Sequence, residues 1–227
     1  MRFTGKPLAA LVAWQLLLAS PLASSSAYAI EELTAGKHYE VLPLPVATAD
    51  PAKIEVVEMF SYACVHCFTF DPSLEGWRSA APADVSFRRT PAVFNKDWEL
   101  LAQVYYAAEV LNIIDKVHTP VFNALHMDSV DLRDPERVAA LFEKHAGIKS
   151  DQFNDVYNSF SVRSRVQQAI GKGKAYRITG VPTLIVNGKY RVDGQLAGNN
   201  TKMLEVVDFL IAKERAGTAG KPQAVTQ

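Results

Sequence analysis

Cys64 and Cys67 are the only cysteines in a chain of 227 residues, and they stand as Cys64-Val65-His66-Cys67. On a helix, positions i and i+3 share one face. Two sulfurs so placed can close a disulfide with little backbone movement. A thiol at a helix start also meets unpaired backbone N–H groups and the positive end of the helix dipole. That favours a thiolate at Cys64, the form that attacks disulfides or binds metals. His66 adds a side chain able to carry a positive charge. The chemistry indicated is that of a redox-active dithiol. A bridge enclosing so few residues removes little loop entropy, so the pair is there for reaction and not for stability.

The same sulfurs with His66 could instead hold zinc or copper(I). A tetrahedral zinc site wants four ligands, and no second Cys or His cluster stands at ligand spacing. His118, His126 and His145 are scattered and read as surface or core residues. A third reading is a non-catalytic peptide-binding or chaperone domain. It would keep its activity after both cysteines were changed to serine.

The elements that must position the pair can be read around it. Ile54 to Phe60 is rich in β-branched and apolar residues and predicts a strand. Ser61 to Ala63 turns into a helix that starts at Cys64 and runs towards Trp77, kinked or interrupted by Pro72. Glu55 and Glu58 fall on opposite faces of the strand, and one of them is expected to be solvated. Val85 to Arg89, closed by Pro91, is a second strand, and the strand–helix–strand order favours parallel pairing. Tyr39 to Leu42 is a short edge strand.

From Asp97 to Tyr176 no strand is apparent. Leu101, Val104, Tyr105, Ala108 and Leu111 repeat at helical spacing. Thr119-Pro120 and Asp134-Pro135 each read as an N-cap followed by proline at the first helical position. Gly147 reads as a residue just past a helix end. Ser150 is a candidate cap for a further helix, and another is expected from Ser161 to Ile170, weakened by Gly171 and Gly173. Thr183 to Val186, Asn187-Gly188, and Lys189 to Val192 form a hairpin signal. Asn200 or Thr201 caps a last helix.

The N-terminus carries the marks of a secretory signal: Arg2 and Lys6, an apolar Leu8 to Leu22, and Ala27-Tyr28-Ala29 as a cleavage site. Cleavage would leave residues 30–227 and place the protein in an oxidising extracytoplasmic space, without the widely separated cysteines of a structural disulfide framework. The whole chain balances 24 Lys+Arg against 24 Asp+Glu. Removing residues 1–29 takes two basic residues and no acidic one, leaving 22 against 24, or −2. That neutrality, with no basic stripe, gives no sign of nucleic-acid binding.

Taken together, Glu58-Met59-Phe60-Ser61-Tyr62-Ala63-Cys64-Val65-His66-Cys67, Thr179-Gly180-Val181-Pro182-Thr183, the Asn187-Gly188-Lys189-Tyr190 hairpin, the export signal and the helical insertion resemble the DsbA family of the thioredoxin superfamily. The resemblance covers essentially the whole mature chain. It implies an α/β thioredoxin fold, a central mixed sheet flanked by helices, with an inserted all-helical domain. The division expected is a signal peptide over 1–29, a thioredoxin-like domain in two parts over 30–96 and 173–215, the insertion over 97–172, and a flexible tail over 216–227.

The resemblance also implies a periplasmic, monomeric dithiol oxidase that needs no cofactor beyond its Cys64–Cys67 disulfide and no metal. Its substrates are unfolded exported proteins with free thiols, and a quinone-linked membrane oxidase of the DsbB type recharges it. Cys64 is then the exposed nucleophile, Cys67 its buried partner, and His66 the histidine that stabilises the reduced thiolate state. Val181-Pro182 is a cis-proline loop that pairs with bound peptide, and Glu58 the acid that moves protons at the buried sulfur. The family stands for oxidants whose reduced form is stabilised. Val65 departs from the proline usual at that position and leaves an extra N–H near the sulfur, so the potential does not carry over unchanged.

Overall fold

The computed structural model describes residues 1–2 and 32–219. The signal-peptide expectation over 1–29, apart from residues 1–2, and the last part of the expected tail, residues 220–227, lie outside the described residues.

The described residues from Leu33 onward form one compact unit. The sheet is assembled from β1 (Glu40–Val41), β2 (Ile54–Phe60), β3 (Val85–Pro91), β4 (Thr183–Val186) and β5 (Tyr190–Asp193), in the order β1-β5-β4-β2-β3. β2 pairs parallel with β3 and antiparallel with β4. The sheet is therefore mixed. Every residue of β2 is buried, which suits its two-sided apolar sequence. Val56 joins the core under one face and Val57 and Met59 the core under the other. Glu55 and Glu58 do lie on opposite faces, but neither is solvated: both are buried. Glu55 accepts from the N–H of Ala49 at 3.2 Å and lies 3.6 Å from Arg88.

β4 and β5 turn through Asn187 and Gly188, both at positive φ, as a two-residue hairpin requires. Gly188 is further fixed by crowding, since a Cβ there would sit 1.9 Å from the Val46 carbonyl oxygen.

Helix α1 (Val65–Ala80) follows β2, and its buried residues Cys67, Phe70, Asp71 and Leu74 form one stripe at helical spacing. Pro72 lies within α1 without interrupting it. Between β3 and β4 come α2 (Lys96–Val110), α3 (Ile114–His126), α4 (Pro135–Ala146), α5 (Ser150–Tyr157) and α6 (Phe160–Ala175). Their facing residues share a core with Phe60 and Tyr62. A one-turn α7 (Gly194–Ala197) and the closing α8 (Asn200–Ala219) complete the chain.

Asp134 caps α4 and Gly147 ends it at φ 71°, both as the sequence predicts. Several other boundaries move. Thr119-Pro120 starts no helix, because α3 begins at Ile114 and carries Pro120 inside it. The buried face of Val117, Val121 and Phe122 continues across the proline, and its burial outweighs one missing hydrogen bond. Ser150 is the first residue of α5 and makes no cap bond. Helix α6 is capped by Ser159 and passes through Gly171 and Gly173 to Ala175, anchored by the fully buried Tyr176 that follows. Asn199, not Asn200 or Thr201, accepts the N–H of Lys202 at the start of α8. Of the expected tail, 216–219 belong to α8.

Candidate active site

Cys64 is the N-cap residue of α1, and its sulfur accepts from the N–H of Cys67 at 3.4 Å. The side chain is half-buried; Cys67, on the inward stripe of the helix, is fully buried. Both are free thiols. Hydrogen bonding from Cys67 lowers the Cys64 thiol from 9.0 to about 6, against the opposing effect of partial burial; the backbone N–H groups of Cys67 and His66 and the charge of His66 add to the lowering. Burial pushes the Cys67 thiol far up, helped by its bond to Cys64 and by Glu58. One sulfur is poised to be a thiolate near neutral pH and the other is held protonated. That asymmetry comes from the helix period, which sends position 67 inward and leaves position 64 at the helix start.

The loop before β4 meets the pair from 117 positions away. The Val181–Pro182 peptide bond is cis, as the resemblance implied, and the Cys64 S–H donates to the Val181 carbonyl oxygen at 3.4 Å. A groove of about 520 Å³ opens beside them, bounded by His66, Gly180, Val181, Pro182, Asp193 and Asn199. His66 and Val65 are exposed, Val65 at 54 %.

Below the cysteines lies a buried charged network. Arg89 of β3 donates from Nε to Glu58 at 2.8 Å and from Nη2 to Asp71 at 2.9 Å, and it also holds Glu75. His118 of α3 donates from Nε2 to Asp71 at 3.1 Å and accepts the Tyr62 hydroxyl at Nδ1, 2.9 Å away. The carboxylate on one side and the hydroxyl on the other fix that tautomer. Burial lowers the pKa of His118 below its usual value. Burial pushes Asp71 up, but His118 and Arg89 outweigh it and hold the carboxyl low. His126 donates to the Tyr62 carbonyl at 2.8 Å and stacks on Phe68, so α3 grips the chain on both sides of the dithiol.

Arg89, Asp71, His118 and His126 are the residues that sequence reasoning missed. The signal available was weak: Arg89 stands in a strand directly after Arg88, and His118 adjoins the apolar Val117–Val121–Phe122 face. Among the described residues, no group of three or more His, Cys, Asp or Glu side chains is arranged to hold a metal ion.

Glu58 is 1 % exposed, and burial raises its pKa from 4.5 to about 7 against the pull of Arg89. Between those values the folded protein binds more protons than the unfolded chain, so this group makes stability fall as pH rises. Glu58→Gln stays neutral while keeping an acceptor for Arg89. The variant should match the reduced wild type near pH 4. At pH 8 it should be more stable by about 3 kcal/mol. Guanidinium denaturation at the two pH values checks this; a variant no more stable at pH 8 would refute burial as the cause.

The site can be set beside known proteins. Residues 77–203 match the family model described as a DSBA-like thioredoxin domain. That segment begins after the cysteines. The thiol:disulfide interchange protein DsbA of Azotobacter vinelandii is 41 % identical over 211 residues, covering 89 % of this chain and 98 % of that one. The protein of the same name from Pseudomonas aeruginosa strain PAO1 is 40 % identical over 205 residues, covering 88 % and 97 %. A crystal structure of Pseudomonas aeruginosa DsbA superposes with a TM-score of 0.79 at 41 % identity, over 82 % of this chain and 97 % of that one. The thioredoxin-like sheet with its helical insertion, the free Cys-x-x-Cys at a helix start and these likenesses agree: the chain belongs to the DsbA family of thiol:disulfide oxidoreductases.

Proposed function

We propose that the protein is a periplasmic dithiol oxidase that hands its Cys64–Cys67 disulfide to exported proteins with free thiols. The observation that carries this reading is the unequal setting of the two sulfurs, Cys64 pulled down to about 6 and Cys67 pushed up by burial. In the oxidised protein a substrate thiolate attacks the Cys64 sulfur. The bond to Cys67 breaks, and Cys67 leaves with the electron pair and takes up a proton. A second substrate thiolate then attacks the substrate's own sulfur in the mixed disulfide and releases Cys64 as a stabilised thiolate. The substrate is oxidised by two electrons and this protein is reduced by two. A leaving group of low pKa makes the second step easy and keeps the reduced form favoured.

Glu58 is the buried acid that acts as proton donor and acceptor for Cys67, since it adds to the proton affinity that burial gives that sulfur. Val181 and Pro182 bound the groove in which substrate backbone lies across Cys64. Recharging falls to a quinone-linked membrane partner of the DsbB type, to which the half-buried Cys64 remains accessible. The enzyme works as a monomer. Among the described residues no helix is long and apolar enough to cross a membrane.

Equilibration with glutathione followed by thiol quantitation tests the direction of exchange. The reduced form should dominate; a disulfide that persists in reducing buffer would make the protein a reductase. His66→Ser should raise the Cys64 pKa, read from thiolate absorbance, and shift the glutathione equilibrium towards the disulfide. An unchanged titration would remove His66 from the mechanism.

A further inference from the structure

We propose that the cavity at the free edge of β3 is a binding site for a small organic anion with a flat apolar body. It is separate from the groove beside the cysteines. The cavity measures about 390 Å³ and is walled by β3, α2, α6, the last turn of α1 and the start of α3. Sites for small molecules begin near this size, and an extended peptide would not fit. β3 is an edge strand, so one row of its backbone groups has no neighbouring strand.

The charged side chains around the cavity are unequally committed. Arg165 is paired with Glu109 at 2.6 Å, and Arg78 with Glu75 at 2.8 Å. Lys172, half-buried on α6, forms no ion pair among the described residues. Tyr106 is 7 % exposed and lines the same cavity, and its hydroxyl hydrogen-bonds to no side chain or backbone group among the described residues. The wall carries Arg78, Arg88, Arg89, Arg165 and Lys172 against Glu109 and Asp115, and this excess of cations, with the Tyr106 hydroxyl opening into the same cavity, suits an acceptor that carries negative charge. The rings of Phe87, Tyr105 and Tyr106 supply flat walls for the remainder of the ligand.

The cavity also reaches Arg89, whose other side holds Glu58. The charged groups facing Glu58 are Arg89 from β3 and Asp71 and Glu75 from α1, with the Cys67 thiol nearby. An anion in the cavity therefore competes with Glu58 for the one cation of the network. Binding should raise the proton affinity of Glu58.

Benzoate is the probe, titrated into the reduced full chain and followed by NMR, with benzamide and inorganic phosphate as comparisons. Benzoate should bind saturably at one site, and Tyr106→Phe and Lys172→Gln should each weaken it roughly five- to tenfold. Benzamide should bind far more weakly for lack of charge, and phosphate for lack of a flat body. The titration midpoint of the Glu58 carboxyl resonance should move up at saturation. Shifts that never saturate, or equal affinity in both variants, would overturn the site. Phosphate binding as well as benzoate would overturn the flat-body requirement, and an unmoved Glu58 would overturn the sharing of Arg89.

Discussion

Cys64→Ser is expected to abolish disulfide transfer, lowering turnover with a reduced dithiol substrate by roughly three orders of magnitude or more. A hydroxyl at the start of α1 can still accept the N–H of Cys67, so the fold should survive. What disappears is the sulfur that substrate attacks and the low-pKa thiolate that leaves. The buried Cys67 cannot take its place, because its thiol is inaccessible and held protonated. Cys67→Ser should behave differently. Its Cys64 thiolate still attacks a disulfide-bearing substrate, displacing one substrate thiolate, but has no neighbour to resolve the mixed disulfide, so covalent adducts should accumulate on non-reducing gels. Appreciable turnover by Cys64→Ser, with no adducts from Cys67→Ser, would show that the two roles are wrongly assigned.

The second large effect is on stability. Arg89→Met should cost about 3–5 kcal/mol at neutral pH, because it removes the one cation shared by Glu58, Asp71 and Glu75 and leaves the buried Glu58 with no cationic partner and the buried Asp71 with His118 alone. Asp71 and Glu75 have folded pKa values held below the usual range by their partners, and burial opposes this in both. Groups of that kind contribute stability above their unfolded pKa and lose it as pH falls through the folded value. Without Arg89 the variant's carboxylates take up protons more readily than those of the wild type, so the deficit of Arg89→Met should shrink as the solution is acidified. Denaturation of wild type and variant at pH 4 and pH 7.5 checks the sign. An equal deficit at both pH values would mean that packing against Phe87, and not charge, is what the arginine contributes.

Much of the site was legible because local rules set it. The apolar run over 54–60 forms β2 with the predicted ends, since a central strand buried on both faces needs continuous apolar residues. The Asn187-Gly188 pair gave its hairpin because only residues tolerant of positive φ make that turn. Boundaries failed where packing overrode propensity, as at Pro120 inside α3 and the glycines inside α6. Solvation of a strand glutamate failed for a related reason: a buried partner for a carboxylate comes from another element, and no local pattern announces it.

The sequence by itself determined the dithiol, its place at a helix start and the strand–turn–helix that presents it, because each depends on residues a few positions apart. Only the tertiary structure decided what surrounds the sulfurs. Val181 reaches Cys64 across 117 positions, Glu58 and Arg89 meet across 31, and Tyr62 and His118 across 56. Those contacts set the burial and charge around each thiol, and proton affinity follows burial and neighbouring charge rather than sequence spacing.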